Sequence, residues 1–292
     1  MLGKLLKYDL KATFKYWWIL AITSFGASIF GGVCFNVFYN TMNEAETVSG
    51  PEAFFSILAM LGFIMTIIVL AAFIVVSEIF IYIRFFKSFF SDEGYLTFTL
   101  PVKRHQLLTS KLLMAFITEF CTVTLYVIEM GIIFSFVFSN MLNELGLDTY
   151  TELFSFFSEL GKLIFTAENA LSIIFLLIYL LEMLIIYVLS ASFMILVTFA
   201  CITFGAIVAK KHKVLAAIGI YYLVSSTLSS IASVVMLATT MGLPYWFDSL
   251  TPNAAMGVVA LAFLVIIAFL AAVTLLLYML VLWLLDKKLN LA

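Results

Sequence analysis

An all-α membrane protein with six transmembrane helices and both termini in the cytoplasm is the fold class this sequence predicts, and three observations predict it. First, 65% of the 292 residues are hydrophobic and only 11% are charged, with a mean hydropathy of +1.19. A soluble domain carries about twice that share of charge. Second, apolar runs of about 20 residues or more recur along the chain, each long enough to cross a bilayer core as a helix. They are hydrophobic along their whole length and do not alternate, which argues against a barrel. Third, the basic residues fall almost entirely on one side once the runs are threaded as spans. The net charge of −2 says little by itself; its distribution sets the topology.

Residues 1–16 come first. Lys4, Lys7, Lys11 and Lys15 share one helical face, and Leu2, Leu6, Leu10, Thr13 and Trp17 share another. This predicts an amphipathic interfacial helix on the inner membrane surface, leading into the first span. Asp9 projects from the apolar side and is expected to meet a protein neighbour, not lipid. Spans are expected near 17–40, 54–83, 112–141, 170–209, 214–241 and 256–285, all within one transmembrane domain covering 1–292. Between the first two spans and between the third and fourth lie acidic outer loops. In the second of these, Thr149 to Glu152 forms a capping box. Leu153, Phe154, Phe157, Leu160 and Ile164 then recur at helical spacing, and an outer interfacial helix is expected there. The run 170–209 is about 60 Å long as a helix, twice a bilayer core. A hairpin near Ser190–Ser192 would fit the length but would put Lys210, Lys211 and Lys213 outside, so one long, tilted or kinked helix is expected. With the N-terminus in the cytoplasm, every Lys and Arg except Lys162 lies on the cytoplasmic side, as the positive-inside rule requires. Glu44, Glu46, Glu52, Glu144, Asp148, Glu152, Glu159, Glu168 and Asp248 lie outside.

The motifs of several chemistries are absent. There is no G-x-x-x-x-G-K-[ST], no H-E-x-x-H and no G-x-S-x-G, so the chain has no P-loop, zincin or nucleophile-elbow signature. Cys34, Cys121 and Cys201 sit inside apolar runs and read as small apolar filler. His105 and His212 lie beside basic residues in polar loops, so neither a disulfide framework nor a metal site is expected. The first apolar run is too long for a cleavable signal peptide. No nucleic-acid partner is expected.

Two sets of polar residues inside spans are candidates for function. Glu78, Glu119, Glu129 and Glu182 are intramembrane acids. An unpaired charge at mid-membrane costs about 2.5 kcal/mol or more, so each should face protein or water, or be protonated. Glu78 and Glu119 lie at similar distances from the segment joining the second and third spans and are candidates for one site, with Tyr82, Arg84 or Lys111 as neighbours. Structural neutralisation by those bases is the competing reading. Glu129 and Glu182 lie deeper and suit either a polar cavity or protonated helix contacts. In the fifth span Ser226, Ser229, Ser230 and Ser233 share a face. Small hydroxyl residues let a helix approach closely or line a wet path, so this face is a candidate subunit interface or translocation path, with ordinary packing as the alternative.

The segment Arg84 to Lys111 is the largest place where charge, aromatics and a proline-initiated helix come together outside the spans. Its sequence RFFKSFFSDEGYLTFTLPVKRHQLLTSKLL, and within it E-G-Y-L-T-F-T-L-P-V followed by basic residues, resembles the loop between the second and third spans of bacterial ABC-2 type permeases. The basic N-terminal segment and LPYWFDSLTPNAAM (Leu243 to Met256) are similar to other parts of that family. The resemblance implies the membrane subunit of a six-span, type V-like ABC exporter in the bacterial cytoplasmic membrane. Two such subunits, identical or homologous, would form the pathway above two copies of an ATPase subunit, which would bind ATP and Mg; this chain would carry no cofactor. It also implies that 84–111 is a cytoplasmic coupling segment. Asp92, Glu93, Gly94 and Tyr95 would shape its entry, and Leu100, Pro101, Val102, Lys103, Arg104 and His105 would form the start and contact surface of a short coupling helix. Proline suits a first helical turn, and a short helix with apolar and basic sides suits a groove. Short outer loops favour export of an amphipathic peptide, drug or lipid. The alternatives are a membrane-embedded hydrolase or lipid-modifying enzyme, against which the missing nucleophile–base pair counts, and a non-transporting immunity or sensor subunit of the same fold.

Overall fold

The computed structural model describes residues 2–44, 50–91, 94, 99, 102–144, 151, 154–155, 158–159, 161–162, 170–209, 211–247 and 252–287. Six long helices account for nearly all of them: α1 (Leu2–Glu44), α2 (Gly50–Phe90), α3 (Arg104–Glu144), α4 (Ala170–Val208), α5 (Lys213–Phe247) and α6 (Pro252–Lys287). Each contains a stretch long and apolar enough to cross a membrane. The architecture is therefore all-α and multi-pass, as composition requires.

The helix ends follow local chemistry. Pro51 sits in the first turn of α2 and Pro252 begins α6, where a fixed φ is already helical and a missing N–H costs nothing. Glu52 in the first turn of α2 and Lys87 in its last turn both oppose the helix dipole favourably. The Lys103 carbonyl accepts from Gln106 N at 2.9 Å and starts α3. The His212 carbonyl does the same for α5 through Ala216 N at 3.0 Å.

Two expectations are revised. The interfacial helix over 1–16 is not separate: α1 is one unbroken helix of 43 residues. A segment continuous with a span cannot turn to lie in the membrane plane. Part of its expected lipid-facing stripe is instead covered by protein, with Thr13 and Trp17 buried, Leu2, Leu6 and Leu10 half-buried and Asp9 only 5% exposed. The segment 84–111 is also largely helical, since α2 continues through Arg84 to Phe90 and α3 begins at Arg104. The 170–209 run forms one unbroken helix, α4.

The chain divides into two compact units. One comprises Met1–Leu5, Arg84–Phe116 and Ile164–Ala292; the other comprises Leu6–Ile83 and Ile117–Leu163. In the first, α4 and α5 form a hairpin. A Cβ on Gly205 would lie 2.6 Å from the Ala217 Cα, so only glycine allows the two backbones to approach this closely. The start of α6 is tied to α4 by Tyr179, whose hydroxyl donates to the Met256 carbonyl at 2.7 Å. Phe85 stacks on Phe199 with ring centroids 3.8 Å apart, both fully buried.

In the second unit α1 and α2 run antiparallel: Phe35 meets Phe63, Trp17 meets Phe73 and Tyr16 meets Phe80. α1 and α3 run parallel. Trp17 Nε1 donates to Thr122 Oγ1 at 2.8 Å, and one heptad further along both helices Ser24 Oγ donates to Glu129 Oε1 at 2.6 Å, each pair 105 residues apart in sequence. The Phe136 ring lies against Gly32, and Tyr39 donates to the Asn140 carbonyl at 3.3 Å. A seven-residue step returns nearly the same helical face, which keeps these contacts on one seam.

Candidate functional site

The described end of the α2–α3 segment is held against the last helix. Arg104 Nη1 donates to the Leu285 carbonyl at 2.8 Å and to Asp286 Oδ1 at 3.1 Å. One turn further along α3, Thr109 Oγ1 and the Tyr278 hydroxyl share a hydrogen bond of 2.9 Å, and the Tyr278 hydroxyl also reaches the His105 carbonyl at 3.4 Å. As α3 advances the partners on α6 recede, so the two helices run antiparallel. Arg104 thereby bonds a carbonyl in the last described turn of α6, a favourable place for a cation. The ion pair itself is half exposed, with side chains 45% and 54% accessible, and such pairs add little stability. Its value is geometric: it ties one end of α3 to one end of α6.

Arg104 and His105 form the first turn of α3 and are not part of a separate short helix. Lys103 and His105 are exposed and Val102 is half-buried. Gly94 is buried, and its N–H donates to the Ser91 carbonyl at 2.7 Å. A Cβ there would lie 2.7 Å from the Phe89 carbonyl oxygen, so a side chain at this position would strike the end of α2. Asp92, Glu93, Tyr95, Leu100 and Pro101 lie outside the described residues, as do Leu153, Phe157, Leu160 and Ile164 of the expected outer helix.

The four intramembrane acids separate into distinct environments. Glu78 and Glu119, both half-buried, lie within electrostatic reach of each other. Two carboxylates that close repel when both are charged. Glu129 is wholly buried; Ser24 satisfies one oxygen, and the other makes no hydrogen bond. Glu182 is 2% exposed, and its Oε2 makes none either. Among the described residues no cluster of three or more His, Cys, Asp or Glu could hold a metal.

The serine face of α5 is open. Ser226, Ser229, Ser230 and Ser233 are exposed. Each hydroxyl donates to a carbonyl of its own helix: Ser226 to Leu223, Ser229 and Ser230 to Ser226, and Ser233 to Ser230, at 2.8–3.0 Å. Hydroxyls satisfied this way cost little in an apolar setting and leave a smooth, small-residue surface.

Sequence reading missed Asp286 and Tyr278 as partners of the segment, and Ser24 and Trp17 as partners of α3. The second pair had a visible signal: Trp17 and Ser24 on α1, and Thr122 and Glu129 on α3, share the same heptad spacing.

These features define a multi-pass membrane protein, with six helices of membrane-spanning length among the described residues. Beyond that class, no protein-family model, curated protein or solved structure matches the chain.

Proposed function

We propose that the chain is the membrane subunit of an ATP-driven transporter of the ABC-2 type, exporting an amphipathic substrate from the bacterial cytoplasm. Both termini lie in the cytoplasm, a second subunit, identical or homologous, completes the pathway, and two copies of a separate ATPase supply nucleotide hydrolysis. One observation carries the reading: the segment between α2 and α3, which resembles the ATPase-docking loop of those permeases, ends in a side chain fastened to α6. A partner pressing on the exposed Lys103–His105 end displaces α3 along its axis. The contacts to Leu285, Asp286 and Tyr278 pass the same displacement to α6. Coupling of this kind needs an element whose position both sites bias, and α3 is one unbroken helix from Arg104 onward. The open face of α5 suits close approach by a second subunit.

The test is purification of the tagged full chain from its native membrane. A P-loop ATPase is expected to copurify with measurable ATP hydrolysis. Lys103→Glu with Arg104→Glu should release it while the chain still inserts and folds. A chain that runs free of any ATPase under mild extraction, or a partner indifferent to those charge reversals, would sink the proposal.

A further inference from the structure

A lateral groove of about 470 Å³ opens between the parallel helices α1 and α3, lined by Trp18, Ile22 and Phe25 on one side and Phe120, Thr124 and Ile128 on the other. Trp18 is 59% exposed and Ile22 69%, so the groove faces outward. Its lining is almost wholly apolar, and the Thr124 hydroxyl is already bonded to the Phe120 carbonyl at 2.7 Å.

What distinguishes it from ordinary lipid-facing surface is what continues it. Lys7, Lys11, Phe14, Trp18, Ile22 and Phe25 follow one another at steps of three and four residues and so form a single stripe along α1. Lys7 and Lys11 are exposed. Lys15 flanks the stripe, its ammonium 5.7 Å from the Tyr16 ring centroid. The acids nearby point elsewhere: Asp9 is buried and projects from the opposite side of α1, and Glu119 falls on the far side of α3 from Thr124 at 3.6 residues per turn.

We propose that this groove and its lysines form a binding site for one phospholipid with an anionic headgroup, its phosphate held by Lys7, Lys11 and Lys15 and an acyl chain lying along Trp18 to Phe25. The lengths agree. Lys11 to Phe25 spans about 21 Å of helix, against about 15 Å for the hydrocarbon of one leaflet plus the reach of a lysine toward the headgroup. Trp18, between lysines and acyl slot, stands where an interfacial tryptophan is expected. The inference needs only that α1 and α3 cross the membrane and is independent of the transporter reading.

The test uses tryptophan quenching in the full chain with Trp246→Phe and Trp283→Phe, reconstituted in phosphatidylcholine vesicles. Phosphatidylglycerol or phosphatidylcholine brominated on the acyl chain is added at the same low mole fraction. Brominated phosphatidylglycerol is expected to quench with an apparent affinity on the order of a hundredfold higher, since each of the three lysines near the surface contributes about fivefold. Lys7→Gln with Lys11→Gln and Lys15→Gln should abolish the preference while leaving quenching by random collisions. Thr124→Phe, at an exposed position, should fill the slot and remove the saturable component. Equal quenching by both lipids in the starting protein, or a preference that survives neutralisation of the lysines, overturns the proposal. So does protection of Trp18 from both lipids together with cross-linking between copies, which would make a second copy the occupant.

Discussion

Glu129 is an acid with no exposed surface, and Ser24 donates a hydrogen bond to it from the neighbouring helix at 2.6 Å. Losing a partner of a buried polar group costs more than the bond is worth, about 1–3 kcal/mol. Ser24→Ala is therefore expected to lower the thermal unfolding temperature in detergent. Glu129→Gln keeps an acceptor for Ser24 and should stay within about 1 kcal/mol of the parent protein. A Ser24→Ala protein that melts unchanged would show that the hydroxyl does not support the seam. At this scale the sequence marked half of each contact. Glu129 was conspicuous because an acid in a span is costly, whereas Ser24 was one serine among many. Arg104 stood out beside Pro101 and Lys103, but its partner Asp286 is 182 residues away, and no local pattern links such residues.

At the scale of elements, existence was easier to read than partition. Apolar length announces a span, so all six helices were legible. Where a surface segment ends and a span begins was not, because α1 passes through 1–16 with no proline or other break and its polar and apolar faces continue in phase. The serines of α5 show a related limit. Spacing placed Ser226, Ser229, Ser230 and Ser233 on one face, but only coordinates show the hydroxyls turned onto their own helix. In the α4–α5 hairpin the critical residue is Gly205, one small residue with nothing in its neighbourhood to mark it. Gly205→Val is expected to force the backbones apart and to destabilise by about 1–3 kcal/mol, as overpacking does. Thermal unfolding checks this, and an unchanged melting temperature would mean that the hairpin can open without cost.

At the scale of the molecule, the prediction concerns sidedness. Single cysteines replacing Lys103 and Lys211 should react with a membrane-impermeant maleimide from one side of sealed vesicles, and a cysteine replacing Lys162 from the other. Reaction of all three from the same side would break the six-span topology. Sequence alone determined that the chain is all-α, that it crosses the membrane several times, and how its basic residues are distributed, because partition between water and lipid depends on composition summed over about 20 residues. Tertiary structure alone decided that α1 runs beside α3 on a heptad seam, that Arg104 is fastened to the end of α6, and that an apolar groove continues into a stripe of lysines. Within a bilayer every span is apolar on all sides, so hydrophobic pattern no longer says which helix faces which. Close backbone approach and a few interhelical hydrogen bonds make that choice, and these depend on residues that are distant in the chain and ordinary in themselves.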